Sequence, residues 1–299
     1  MLGVDVGEDR LALGVLVQYR MATTGQLHRV IAPGVRIEQT RRRLARLRTG
    51  GLVDRITLPQ AGRTRVWFPT AYAAQLVGEW PEMRGRRAAR TVSDPVAVRL
   101  KAAHTLTVTE TALAFLEDAR RRGDLFRPLD WIPELHHPIG NGEAVIPDAV
   151  FYYQQGPTSG DGGPMLRAFV EVDRATMGPE RLAAKLTAYD RLHGYVAAVP
   201  GRRTVSQGVA AEEWRRRYPL FPRLLFVLDG TGPDGVENRI SALRAAVELL
   251  GPLCFAREVP VLATPLADIL QHGPGAPVWR AIHDPARRIP WTDTRPTTA

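Results

Sequence analysis

The chain has 299 residues, 44% of them hydrophobic, which is enough to build one large core or two cores of ordinary size. Its single cysteine excludes an internal disulfide and a zinc site built from cysteines. No apolar run is long enough to cross a membrane, and the first residues lack the basic segment of a signal peptide. We therefore expect a globular cytoplasmic protein with no membrane association.

The net charge of +9 is distributed unevenly along the chain. Residues 1–101 hold 18 Lys or Arg and 8 Asp or Glu, whereas the remaining residues hold 22 and 23. A basic segment of this kind is typical of proteins that bind a polyanion, most simply nucleic acid. Only two of the 40 basic residues are lysines, Lys101 and Lys185.

Three short helices are predicted at the start of the chain. The first covers residues 10–20, and the second begins at Thr23 or Thr24, which suit an N-cap, and stops at Pro33. The third ends at Gly50, a common residue after a helix. The apolar residues that this third helix turns inward are Ile37, Leu44 and Leu47.

Two short β-segments around a "PQAGR" turn follow, and a helix near residues 71–80 closes this part of the chain. Three helices followed by a hairpin is the order of a winged helix-turn-helix, which inserts its third helix into the major groove of double-stranded DNA. We therefore predict a winged-helix DNA-binding domain over residues 1–81. The side chains expected to contact DNA are Gln39, Arg42, Arg43, Arg46, Arg63 and Arg65.

The rest of the chain divides into three predicted parts. Residues 82–103 show no steady period and carry several arginines, so we predict a basic linker. Residues 104–272 alternate helices and strands in an α/β or α+β pattern that includes one hairpin. Residues 273–299 are rich in Pro and Arg and are predicted to be a loosely attached tail.

The strand "AFVEVD" contains two neighbouring carboxylates. Alternation sends Phe169, Glu171 and Asp173 to one face of the strand. Crowded acids on an apolar strand repel each other and lose hydration, so we expect a compensating cation. The preceding strand of the hairpin brings Asp148 alongside, and three carboxylates are hard oxygen ligands that suit Mg²⁺ or Mn²⁺.

The next predicted helix adds Lys185 and Tyr189, which share one face because they are four residues apart. Acids, a lysine and a basic DNA-binding module together suit metal-dependent hydrolysis of a phosphodiester. The lysine would position the nucleophile or neutralise developing charge. The predicted catalytic residues are Asp148, Glu171, Asp173, Lys185 and Tyr189, and the three acids are also the predicted metal ligands.

The segments "IPDAVFYY" and "FVEVD" resemble the core of the PD-(D/E)xK nucleases. The fuller order, "WIPE", "PDA", "EVDRAT" and "KLTAY" behind a winged helix, resembles the replication-relaxation family of plasmids and mobile elements. The resemblance implies a restriction-endonuclease-like domain, with Asp148 and Glu171 at the metal-binding positions and Lys185 and Tyr189 in a helix motif. One departure is that Asp173 stands where the nuclease pattern has lysine.

Two interpretations of the second domain follow from this departure. In the first, the lysine function has moved to Lys185 and the domain is a Mg²⁺- or Mn²⁺-dependent endonuclease that nicks DNA. In the second, the chain is a non-enzymatic replication or transcription regulator that uses a degenerate nuclease fold for homodimerisation or for contacts with replication or conjugation proteins. Another cation, such as Arg174 or Lys185, would then compensate the acids.

Overall fold

A computed structural model describes most of the chain as two compact units, Met1–Pro133 and Glu134–Ala299. The eight α-helices and the strands of the described residues confirm a mixed α/β protein. None of the described helices combines the length and the apolar character that crossing a bilayer requires. The described ranges are residues 7–58, 62–83, 95–156, 163–197 and 211–293.

The first unit contains helices packed around a small antiparallel sheet. Its helices are α1 (Glu8–Tyr19), α2 (Thr24–Ile31), α3 (Ile37–Thr49), α4 (Ala71–Gly78) and α5 (Pro95–Arg122). Its strands are β1 (Ala22–Thr23), β2 (Val53–Leu58), β3 (Thr64–Pro69) and the short β4 (Trp131–Pro133). The first three strands form a sheet in the order β1-β3-β2. The predicted succession of three helices and a hairpin is therefore present.

Local signals in the sequence explain the ends of α2 and α3. The Gln26 N–H donates to Thr23 Oγ1 at 3.1 Å, and the Thr23 N–H donates to Gln26 Oε1 at 2.9 Å, which is a complete capping box. At the C-terminal end of α3, the Gly50 N–H donates to the Arg46 carbonyl at 2.9 Å. These bonds satisfy backbone groups that helix ends otherwise leave unpaired.

The predicted linker is partly helical, because α5 begins at Pro95. Val98 and Ala102 are fully or almost fully buried in a core cluster with Ile56 of the hairpin. Their spacing of four residues is a short apolar stripe that the surrounding arginines obscure in the sequence. The predicted basic cluster of this segment lies outside the described residues: Arg84, Arg86, Arg87 and Arg90.

The second unit is built on a mixed sheet. Its helices are α6 (Glu180–Gly194), α7 (Pro233–Leu250) and α8 (Leu266–His272). Its strands are β5 (His137–Pro138), β6 (Ala144–Val145), β7 (Ala149–Gln154), β8 (Met165–Asp173), β9 (Arg223–Leu228), β10 (Val261–Pro265), β11 (Trp279–Ala281) and β12 (Asp284–Ile289). Strands β5 and β6 pair with each other, and the others follow the order β12-β11-β10-β9-β8-β7.

Strands β8, β9 and β10 are parallel, whereas β7, β11 and β12 are antiparallel to their neighbours. Helix α6 connects β8 to β9, α7 connects β9 to β10, and the two helices contact each other on one face of the sheet. The side chains of Phe169, Glu171 and Asp173 contact these helices. The predicted shared face of the three residues is therefore confirmed.

The predicted loose tail is wrong for residues 274–293, which belong to the folded unit. Strands β11 and β12 extend the sheet, and Trp279 and Trp291 are buried. The Arg223 side chain donates to the carbonyls of Trp291 and Asp293 at 2.6 Å each. Two tryptophans supply apolar area that the Pro and Arg content of the segment conceals.

Candidate functional site

Glu171 lies on β8 beneath α6 and is only 2% exposed. The Lys185 ammonium donates to Glu171 Oε2, and the Tyr189 hydroxyl donates to Glu171 Oε1 at 2.7 Å. Lys185 and Tyr189 lie one turn apart on α6, as their spacing predicts. Two consecutive turns of one helix therefore hold both oxygens of one buried carboxylate.

Asp148 lies directly before β7 and next to Glu171 in the hairpin register. Its Oδ2 accepts a 2.7 Å hydrogen bond from the Val172 N–H, and the Lys185 Nζ lies 4.0 Å from the same oxygen. Because that Nζ also binds Glu171, the ammonium lies between the two carboxylates. The structure thus brings Asp148, Glu171, Lys185 and Tyr189 together.

Asp173 has a different partner. Its Oδ2 accepts from Arg239 of α7, and its Oδ1 accepts a 3.2 Å bond from the Ala175 N–H. The Arg239 side chain also donates to the carbonyls of Met177, at 3.2 Å, and Gly235, at 3.3 Å. The second acid of the strand is therefore compensated by a buried arginine rather than by the lysine.

Sequence reasoning missed Arg239, although a signal for it exists. It lies three residues after Val236 and four before Leu243, both buried, so it interrupts the apolar stripe of α7. An arginine in such a position requires an acidic partner, because an unpaired buried cation is costly. Arg174, the other cation considered, lies 3.9 Å from Asp229 instead.

The electrostatics of the cluster follow from its burial. Burial raises the pKa of Glu171 from 4.5 to about 7, with Lys185 opposing the rise and Asp148 adding to it. Burial lowers the pKa of Lys185, but the two carboxylates outweigh burial and leave this pKa above its ordinary value. Burial and Glu171 also raise the pKa of Tyr189 far above its usual value, so the hydroxyl remains a donor.

We expect Glu171 to make the stability of the protein depend on pH. Its pKa is higher in the folded chain than its ordinary value of 4.5, so its contribution is complete below pH 4.5 and is lost as pH rises through about 7. The Glu171→Gln variant does not titrate there. Between about pH 5 and about pH 8, the wild type should lose about 1–3 kcal/mol of unfolding free energy relative to this variant. Urea denaturation of both proteins measures the difference, and parallel pH profiles would contradict it.

The three predicted metal ligands do not form one cluster. Across the described ranges, no group of three His, Cys, Asp or Glu side chains is arranged to hold a metal ion. Asp173 is held by Arg239, and the Lys185 ammonium between Asp148 and Glu171 would repel a divalent cation. This arrangement does not fit Mg²⁺ or Mn²⁺, so we derive no catalytic step through a metal.

The first unit contains a groove of about 510 Å³ between the start of α2, the first turns of α3 and the hairpin. Trp67 Nε1 donates to Thr24 Oγ1 at 2.9 Å, which holds the hairpin against α2. Guanidinium groups from two different elements and a helix N-terminus favour an anion in such a groove. Its lining residues are Thr23, Thr24, Gly25, Ile37, Arg41, Arg63, Thr64 and Arg65.

The arginines of α3 have two different environments. Arg43 is ion-paired with Asp9 of α1, a carboxylate that is only 3% exposed, and the Arg46 Nη2 lies 3.0 Å from the same carboxylate. Arg42 and Gln39 are exposed, and Arg42 has no ion-pair partner among the residues that the structure describes. Two of the residues predicted to contact DNA are therefore ion-paired with α1, and sequence reasoning missed their partner Asp9.

We expect Arg43 to stabilise the first unit through Asp9. The Arg43→Ala variant leaves a buried carboxylate with only the exposed Arg46 nearby, which should cost about 2–4 kcal/mol of unfolding free energy. The Arg42→Ala variant removes the same charge one residue away and should change stability by less than about 0.5 kcal/mol. Thermal or urea denaturation compares the two, and equal losses would show that Arg43 has no such role.

The comparisons with known proteins identify one similarity. A model of the replication-relaxation family matches residues 13–218, more than half of the chain. The match includes part of α1, the other helices and the hairpin of the first unit, and the cluster around Glu171, and it confirms the resemblance stated from the sequence. Comparisons with curated proteins and with solved structures found no match.

Proposed function

Because the chain belongs to the replication-relaxation family, we propose that it is a DNA-binding protein that acts in the replication or relaxation of plasmids or mobile elements. In this proposal, the first unit is a winged helix-turn-helix that binds double-stranded DNA. The second unit is a PD-(D/E)xK nuclease-like domain. The family assignment supports a role in the replication or relaxation of plasmids or mobile elements. The helices, hairpin and basic groove of the first unit support DNA as the ligand.

The observation that carries the proposal is the groove beside α3. Arg63 and Arg65 from the hairpin and Arg41 from α3 line it, so two elements present cations to one groove. In the proposed complex, α3 enters the major groove with Gln39 and Arg42 exposed toward base edges. The hairpin arginines contact the phosphate backbone and determine how deeply α3 inserts.

Binding to a duplex oligonucleotide, measured with the full chain over a range of salt concentrations, tests this proposal. If Arg41, Arg63 and Arg65 each contact one phosphate, the slope of log K against log salt should be about −3, because each contact releases about 0.9 counterions. Single-stranded DNA of equal length serves as the competitor that distinguishes duplex recognition from charge attraction alone. A slope near zero on duplex DNA would refute DNA binding by this unit.

The alternative function, nicking of DNA with Mg²⁺ or Mn²⁺, requires a divalent cation in the space that the Lys185 ammonium occupies. Asp148 and Glu171 converge on a single cation position, the Lys185 ammonium. If nicking occurs, supercoiled plasmid with Mn²⁺ should be converted to open circles by the wild type but not by Glu171→Gln or Lys185→Ala. If the wild type cuts no duplex, single-stranded or branched DNA, the second unit serves contacts with replication proteins or with a second copy of the chain.

A further inference from the structure

We propose that Lys185 is a tethered cation that takes the place of a divalent metal between Asp148 and Glu171. The Nζ donates to Glu171 Oε2 and lies 4.0 Å from Asp148 Oδ2. An ion shared by these carboxylates would have to occupy the same space. The chain thus supplies its own positive charge between the two acids. The inference rests on the proposed nuclease-like assignment of the second unit but not on DNA binding by the first.

Among the residues that the structure describes, no third acidic, histidine or cysteine side chain completes a metal site with Asp148 and Glu171. Asp173, the remaining acid of β8, is paired with Arg239, whose side chain is only 9% exposed. Arg239 is itself anchored by the carbonyls of Met177 and Gly235. Recruiting Asp173 to a metal would leave this buried guanidinium without its carboxylate, which is energetically costly.

Glu171 is also held in place by α6. Tyr189 is buried, its ring packs against Phe169 with centroids 5.4 Å apart, and its hydroxyl donates to Glu171 Oε1. A metal that displaced Lys185 would have to bind a carboxylate whose other oxygen is already fixed. Removal of the ammonium alone removes the charge repulsion and opens its space, while Asp148 and Glu171 keep their positions.

Mn²⁺ binding to the full-length protein, measured from the electron paramagnetic resonance signal of free Mn²⁺, tests the inference. The Lys185→Met variant keeps the apolar stem and removes the charge, and we expect it to bind Mn²⁺ at least about tenfold more tightly than the wild type. Lys101→Met, the same change at the only other lysine, should behave as the wild type. Adding Glu171→Gln to Lys185→Met should abolish the gain.

The inference is overturned if Lys185→Met gains no Mn²⁺ affinity, or if the gain persists when Glu171→Gln is added. A second measurement needs no lysine variant: Glu171→Gln alone should show the same Mn²⁺ affinity as the wild type. A loss of Mn²⁺ affinity in that variant would show that the wild-type carboxylate already binds the metal. Absence of duplex binding would refute the proposed function and leave the Mn²⁺ result standing.

Discussion

Replacing Arg63 and Arg65 together with alanine should lower the affinity for duplex DNA by about 10- to 100-fold at low salt. Both side chains line the groove beside α3 and are exposed. If each contacts one phosphate, the slope of log K against log salt should become shallower by about two units. Fluorescence anisotropy with a labelled duplex at several salt concentrations measures both quantities.

A matched control removes the same charge elsewhere. Arg216 and Arg244 are exposed arginines of the second unit whose side chains are 69% and 56% accessible. Their double alanine variant has the same net charge as the variant that lacks Arg63 and Arg65. It should therefore keep the wild-type slope of log K against log salt if the groove is the binding site. Equal losses in the two variants would mean that net charge, rather than the groove, determines the affinity.

Replacing Trp291 with alanine should destabilise the second unit by about 3–5 kcal/mol. Trp291 is 1% exposed, and its ring contacts Phe151 and Tyr153 at centroid distances of 5.2 Å and 5.1 Å. Its carbonyl also accepts from Arg223, which fixes the end of the described chain to β9. Loss of the indole leaves a cavity against the sheet that its neighbours fill only partly.

The comparison for this variant is Leu253→Ala, which truncates an apolar side chain of the same unit that is 97% exposed. That change should alter the unfolding free energy by less than about 0.5 kcal/mol. Urea denaturation followed by far-ultraviolet circular dichroism measures both variants. A small effect at Trp291 would mean that the segment after β10 contributes little to folding, as its composition alone suggests.

Local sequence signals determined much of the first unit. The capping box of Thr23 and Gln26, the helix end at Gly50 and the burial of Leu44 and Leu47 all follow from residues within a few positions of one another. The start of α5 was missed because its apolar stripe is short and lies among arginines. Hydrogen bonds between nearby residues and the spacing of apolar residues therefore suffice to predict a helix that packs through a clear apolar stripe.

For the second unit, alternation along β8 placed Glu171 and Asp173 on one face, and helix spacing placed Lys185 and Tyr189 together. The sequence also showed that the two acids need a cation. It could not tell which cation serves which acid, because arginine, lysine and a metal ion satisfy the same local requirement.

Only the tertiary structure decided those pairings. Glu171 binds Lys185, 14 residues away, and Asp173 binds Arg239, 66 residues away. Lys185 and Arg239 both reach β8 because α6 and α7 pack on the same face of the sheet. The two helices connect neighbouring parallel strands, α6 from β8 to β9 and α7 from β9 to β10. Distances between residues so far apart depend on how whole elements pack, and no pattern of neighbouring residues specifies that packing.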